Sequence, residues 1–181
     1  MTSPAFSVGL LSVGLDRSQF QSGAQALDQY FQQQVGQDVR RRITSCFVAT
    51  STAHGQLAGF YTLASSSIPL NDLPPALLKK LPRYPQVPVV RMGRLAVDLA
   101  FKGQGLGAAL LADALQRCCQ ADIAAFALVV DAKDPHAAAF YTHHGFLALP
   151  DQPLCLFLPL ATARSLFASA IHRQCRHEHE R

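Results

Sequence analysis

The chain has 181 residues, 49% hydrophobic and 15% charged, a globular balance with room for one core of ordinary size. No apolar run reaches the roughly 18 to 20 residues that cross a bilayer, which excludes a helical membrane span. Sixteen Lys and Arg against twelve Asp and Glu leave a net charge of +4, with the surplus clustered at residues 40–42, at residues 79–80 and in the terminal HRQCRHEHER; a polyanionic partner fits this pattern without being required by it.

In chain order, the opening MTSPAFSVGLLSVGL has no Lys or Arg ahead of its apolar stretch and no small-residue cleavage pattern. We read it as a first strand rather than a secretory signal. Leu27, Tyr30, Phe31 and Val35 then repeat at helical spacing, and ITSCFVAT and LAGFYTLASSSI read as strands joined by the turn STAHGQ. The Pro-rich NDLPPALLKKLPRYPQVP is an excursion with a short helical piece of its own. VPVVRMGRLAVD is strand-like and feeds, through glycines, a helix on which Gly107, Leu110, Leu111, Ala114, Leu115 and Cys118 recur every three or four residues. AAFALVVDA is the continuous apolar run of a strand buried on both faces, PHAAAFYTHHG opens with Pro and closes with Gly as helices do, and LCLFLPL is another strand. A helix-like ATARSLFASA and a polar segment follow. Two strand-helix units in succession imply parallel strands within a mixed sheet. We expect one domain over residues 1–170 and a basic polar tail over residues 171–181. Five cysteines, an odd number without zinc-site spacing and with Cys118 and Cys119 adjacent in a helix, read as packing thiols in a reducing cytoplasm. His172, Cys175, His177 and His179 form no closed zinc pattern, so no metal is expected.

The stretch KGQGLG carries the chemistry. With no Cβ at Gly103, Gly105 or Gly107, a phosphate can approach the main chain, and amides at a helix start offer it donors and a positive dipole end. A P-loop would place Lys and Ser or Thr after its last glycine, where Ala108 and Ala109 stand here. A dinucleotide fold would space its glycines G-x-G-x-x-G in the first strand-helix unit, and this loop is G-x-G-x-G in mid-chain. A glycine-rich helix start serving packing alone is the bland alternative.

The loop resembles a third solution, the acyl-CoA loop of the GNAT N-acetyltransferases. Their pattern is Arg or Gln, two residues, Gly, one residue, then Gly or Ala; Lys102 takes the first place, and Gly105 and Gly107 the glycine places. The preceding LAVD looks like the family's cofactor-lining strand, and AAAFYTHHGF is similar to its A-x-x-F-Y-x-x-x-G-F segment. The resemblance implies an α/β GNAT fold, a mostly antiparallel central sheet with a parallel βαβ core flanked by helices. It implies acetyl-CoA as co-substrate, with Lys102, Gly103, Gln104, Gly105, Leu106, Gly107 and Ala108 around the pyrophosphate, and Leu95, Ala96 and Val97 along the pantetheine arm. Phe140 would line the cofactor, and Tyr141 would act as general acid on the departing thiolate. By composition alone Tyr141 reads as a half-buried aromatic, since Ala137, Phe140, Tyr141 and His144 share one helical face.

With a thiol at about 8.5 and a Tyr at about 10, proton transfer is uphill by about 1.5 units, or about 2 kcal/mol. A hydrogen bond that tightens as charge develops suffices. The acceptor must also be a neutral amine. A Lys side chain near 10.4 calls for a base, whereas an α-amino group at about 7.7 to 8.0 is already partly neutral at pH 7. Asp98 and Asp131, at strand ends, read as capping or loop carboxylates rather than bases. An α-amine therefore suits this site.

The resemblance narrows further. FQSGAQALDQYFQQQVGQDVRRRITSCFV, LPPALLKKLPRYPQVPVVRMGRLAVD and KGQGLGAALLADAL look like the acetyltransferase toxins of bacterial toxin-antitoxin pairs, over most of residues 18–147. Ser22-Gly23 stands where many relatives have Cys-Gly. This likeness implies that the substrate is aminoacyl-tRNA, acetylated on its α-amine so that translation stops. It also implies a partner antitoxin with a ribbon-helix-helix DNA-binding half and a cytoplasmic location, and it allows a homodimer. Arg40, Arg41, Arg42, Lys79, Lys80, Arg83, Arg91 and Arg94 would serve the acceptor stem, although cations at a helix end also favour the helix dipole without any partner. Two other readings are a small-molecule or peptide N-acetyltransferase indifferent to RNA, and an acyl-CoA-binding module without catalysis.

Overall fold

The computed structural model describes residues 5–179, and their side chains through residue 169. Seven strands lie in the order β1-β2-β3-β4-β5-β7-β6, mostly antiparallel with one parallel pair, flanked by helices. They are β1 (Phe6–Leu10), β2 (Ser45–Ser51), β3 (Leu57–Pro69), β4 (Gln86–Val97), β5 (Ala127–Asp131), β6 (Leu147–Leu149) and β7 (Gln152–Pro159). The helices are α1 (Gln25–Gln29), α2 (Val35–Arg40), α3 (Pro75–Leu78), α4 (Leu106–Gln120), α5 (Pro135–His143) and α6 (Leu160–His179). The chain forms two compact units, Met1–Ser65 with Arg91–Ala114, and Ser66–Val90 with Leu115–Arg181.

In the first unit β1 and β2 pair antiparallel with Val8 opposite Ala49, and β2 pairs with β3 with Val48 opposite Phe60. The helical periodicity of Leu27, Tyr30, Phe31 and Val35 is realised as α1, a π turn over Tyr30–Gln34, and α2. This face packs a core of Phe20, Tyr30, Phe31, Val35, Cys46, Val48, Phe60 and Ala96. Phe31 stacks on Phe60 at 4.1 Å between centroids, and Phe20 meets both edge-on. Three fully buried Phe side chains contribute about 1.5 to 3 kcal/mol each. Gly59 sits where β3 comes closest to its surroundings: a Cβ there would stand 2.8 Å from the Ala96 carbonyl and 2.9 Å from Leu110 of α4. Only glycine lets this stretch of β4 and the start of α4 approach so near.

In the second unit β5 pairs antiparallel with β7, Val129 opposite Phe157, and β6 pairs with β7. Its core gathers Ile68, Leu73, Val87, Val89, Ala127, Val129, Leu149, Cys155 and Phe157. Leu128 and Val130 are as buried as Ala127 and Val129, as the unbroken apolar run of β5 requires. The Pro-rich excursion holds a 3-10 turn at Leu70–Asp72 and the one-turn helix α3. Strand β6 is absent from the sequence reading, because three residues between a helix end and a turn carry no periodicity. Helix α6 continues to His179, through most of the segment read as a tail; the side chains of His172, Cys175, His177 and His179 lie outside the described residues.

Cys46, Cys118, Cys119 and Cys155 are unbridged. Burial pushes the thiols of Cys46 and Cys118 up to about 12, which makes them packing groups rather than nucleophiles. Among the described residues no helix is long and apolar enough to cross a membrane, and no three His, Cys, Asp or Glu side chains converge as metal ligands.

Candidate active site

The first unit builds the loop. β4 ends at Val97, and Asp98 caps the 3-10 turn Leu99–Phe101, one carboxylate oxygen accepting from the Ala100 amide at 2.9 Å. Its other oxygen accepts from the Gln21 amide at 2.9 Å, and its own N–H donates to the Ala58 carbonyl at 2.8 Å. Asp98 is therefore a capping group, with both oxygens engaged by main chain. Gly103 and Gly105 follow with φ of +77° and +75°, a region costly for any residue with a Cβ, and a Cβ at either would meet nothing within 4 Å. Space beside the loop is thus open. The first described helical bond of α4 runs from the Ala109 amide to the Gly105 carbonyl at 3.1 Å. The amides of Leu106, Gly107 and Ala108 precede it, where helix geometry supplies no acceptor. The first turn of α4 carries no acid of its own to compete with an anion for the positive end of the helix dipole. These features fit a pyrophosphate.

Leu95 and Val97 are half-buried on β4, while Ala96 is buried in the aromatic core, so only its main chain is left for a ligand. Lys102, at the first place of the loop pattern, donates from its Nζ to the Ser22 carbonyl at 2.6 Å.

The second unit positions the tyrosine. Asp134 caps α5 by accepting from the Ala137 amide at 2.7 Å, with Pro135 at the first helical position. The helix closes through Gly145 at φ +90°, with the Phe146 amide on the Tyr141 carbonyl at 3.1 Å. Tyr141 is 7% exposed and lies between Phe140 and Phe146, at centroid distances of 5.2 and 5.6 Å. Burial pushes its hydroxyl up to about 12, and the charge of Asp131 adds to the rise. Phe140 also meets His144 edge-on at 4.7 Å; burial first and His143 second depress His144, so its ring stays neutral near pH 7. With Tyr141 near 12 rather than 10, full transfer of its proton to a thiolate at about 8.5 is uphill by about 3.5 units, about 5 kcal/mol. This exceeds the sequence-based figure, and it leaves Tyr141 suited to donating a hydrogen bond to developing charge.

The basic residues differ in their local settings. Arg40, Arg41 and Arg42 are exposed where α2 ends, Arg42 closing the helix with φ +58°. Arg91 is half-buried on β4. The Arg94 guanidinium lies 3.4 Å from the centre of the Tyr30 ring, a cation-π contact. Tyr30 itself is buried in the π turn, its hydroxyl beside Asp38 without a hydrogen bond of normal geometry. Burial pushes that hydroxyl up to about 12, Asp38 reinforces the rise and Arg94 opposes it. In the second unit Lys79, Lys80 and Arg83 are exposed on the Pro-rich excursion. Sequence reading gave no role to Asp28, which accepts from both the amide and the hydroxyl of Ser22 at 2.8 and 2.6 Å. Six residues separate the two, outside any capping spacing, so no local pattern announces the pair.

The first unit thus carries a glycine loop that opens a helix after a strand, and the second carries a buried tyrosine on a helix. Residues 18–155 match the Acetyltransferase (GNAT) domain, and the chain belongs to that family. It is 39% identical over 153 residues to a tRNA-acetylating toxin of Mycobacterium tuberculosis (strain ATCC 25618 / H37Rv), an alignment covering 83% of this chain and 90% of that protein. Its fold is similar to that of AtaT complexed with acetyl-methionyl-tRNAfMet, with a TM-score of 0.82, 30% identity and coverage of 90% and 99%. It also resembles a tyrosine-to-phenylalanine AtaT toxin bound to the C-terminus of the antitoxin AtaR and acetyl-CoA, with a TM-score of 0.77, 26% identity and coverage of 91% and 99%.

Proposed function

We propose that this chain is a toxin that transfers acetyl from acetyl-CoA to the α-amino group of aminoacyl-tRNA and so blocks translation. The observation that carries the α-amine reading is the engagement of Asp98, whose two oxygens are held by the Ala100 and Gln21 amides. An acceptor that is partly neutral at pH 7 needs no base from it. The relatives named as tRNA-acetylating support the choice of RNA.

In this reading the amides of residues 103–108 hold the pyrophosphate, and the main chain of Leu95 and Val97 orients the thioester. The amine nitrogen attacks the thioester carbonyl, the new C–N bond forms and the C–S bond breaks. The Tyr141 hydroxyl donates to the departing sulfur as its charge develops, and the proton lost by the amine leaves to water. Phe140 packs against Tyr141 and holds its ring in place. Arg40, Arg41, Arg42, Lys79, Lys80, Arg83 and Arg91 supply phosphate contacts, with Arg94 acting from its place over Tyr30. The partner is an antitoxin with a ribbon-helix-helix DNA-binding half, the assembly is a homodimer, and the compartment is the cytoplasm.

The test incubates purified protein with labelled acetyl-CoA and charged tRNAs, with uncharged tRNA as control, and follows label into acid-precipitable RNA. Label on charged tRNA alone is expected. Label on polyamines or peptides instead would overturn the RNA substrate, and acetyl-CoA binding without transfer to any amine would overturn catalysis.

A further inference from the structure

We infer that residues 21–28 form a brace that fixes the pyrophosphate loop in its binding conformation, with Lys102 as a positioning residue in that brace. The inference rests on the acetyl-CoA reading above. Gly103 and Gly105 have no packing beside their Cα atoms, and glycine loses the most conformational freedom when ordered. Something outside the loop must hold it.

Two stretches nearly eighty residues apart in sequence do so. The Gln21 amide donates to Asp98 at 2.9 Å, the Gln21 carbonyl accepts from the Leu99 amide at 2.8 Å, and the Ser22 carbonyl accepts from Lys102 Nζ at 2.6 Å. The loop stem at residues 98–102 is thus tied at its start and at its end. Behind it, the Ser22 amide and hydroxyl both donate to Asp28, and the Ser22 hydroxyl accepts from the Ala24 amide at 3.2 Å. Asp28 therefore sets the direction of the carbonyl that Lys102 holds. Gly23 completes the fit: its φ is +86°, and a Cβ there would stand 3.3 Å from Leu99 and 3.9 Å from Lys102 Nζ. A loop ordered in advance spares the ligand the cost of ordering it. The Lys102 ammonium acts by holding main chain, through a short charge-assisted bond, and not by touching phosphate.

The experiment is a double-mutant cycle on the full chain, with acetyl-CoA affinity read by calorimetry, kcat at saturating acetyl-CoA, and melting temperature. Lys102→Met and Asp28→Ala should each weaken acetyl-CoA about tenfold, the scale of one charge-assisted hydrogen bond, with kcat unchanged within about twofold. Because both act through Ser22, the double variant should be no weaker than about the worse single. Lys102→Arg should restore most of the affinity. If Asp28→Ala fails to fold, Ser22→Ala, which removes only the hydroxyl, takes its place and should weaken binding in the same direction. Additive losses, or a loss with Lys102→Met alone, would mean a direct phosphate contact and overturn the brace. Unchanged affinity in all variants, with normal binding by the wild-type chain, would overturn it and leave the acetyl-CoA reading intact. A wild-type chain that bound no acetyl-CoA would sink both.

Discussion

Tyr141 keeps its proton by being buried, and this decides how it can work. A hydroxyl pushed up to about 12 stays protonated throughout the range in which an α-amine at about 7.7 to 8.0 loses its proton. The rate at subsaturating acceptor should therefore rise between pH 6 and about pH 8.5 as the amine becomes neutral, and stay level toward pH 10; initial rates measured before the ester hydrolyses check this. A fall beginning below pH 9 would show a tyrosine that ionises too early for its role. Tyr141→Phe should lower kcat by roughly a hundredfold or more, the lower range for a lost proton donor, with acetyl-CoA affinity within about threefold, measured by turnover and by calorimetry. Equal turnover in the two proteins would remove the assignment. The sequence placed Tyr141 on a helix with Phe140 and His144 but could not supply its surroundings. Phe146 beyond the helix end and Asp131 from β5 set its environment, and neither is its neighbour in helical spacing.

At the scale of the element, the end of α2 carries a structural cost at a residue proposed to contact tRNA. Arg42 occupies the left-handed region with φ +58°, its amide bonded to the Val39 carbonyl, and the Ile43 amide reaches back to Asp38. A Cβ in that conformation costs about 1 to 2 kcal/mol, which glycine would recover. Arg42→Gly should raise the melting temperature by a few degrees. It should also weaken charged tRNA and make its salt dependence shallower, measured by titration at several ionic strengths. A stabilised protein with unaltered tRNA affinity would reduce Arg42 to a helix terminus. The helix itself shows where local reading ends. Leu27, Tyr30, Phe31 and Val35 announced one buried face, but neither the π turn at Tyr30–Gln34 nor the place of Tyr30 beneath Arg94, in a core shared with Phe60 and Ala96, shows in helical spacing.

At the scale of the whole molecule, four buried acids respond to alkali in the same direction. The hydroxyls of Tyr30 and Tyr141 lie near 12 rather than 10, and the thiols of Cys46 and Cys118 near 12 rather than 9, burial being the leading cause in each. Each folded value is raised, so the folded state keeps protons that the unfolded chain releases. Stability is then complete below about pH 9 and is lost as pH rises toward 12. The urea midpoint should fall steadily over that interval, less steeply in Tyr141→Phe, which removes one of the four groups. A flat profile to pH 12 would show that these groups are wetter than their burial indicates.

The sequence by itself determined the order of the longer elements and singled out the loop as the candidate cofactor site. Periodicity, punctuation by Pro and Gly, and the G-x-G-x-G run are local properties, so residues 102–108, Asp98 and Tyr141 could be named from neighbours a few positions away. Tertiary structure alone decided what Lys102 holds, that both oxygens of Asp98 are taken, that Asp28 orders Ser22, and that Arg94 covers Tyr30. The partners of Lys102 and Asp98 and the ring under Arg94 come from tens of residues away, and the Asp28–Ser22 pair, though only six residues apart, matches no capping spacing; pairings of these kinds are set by how the chain packs, with no trace in local spacing.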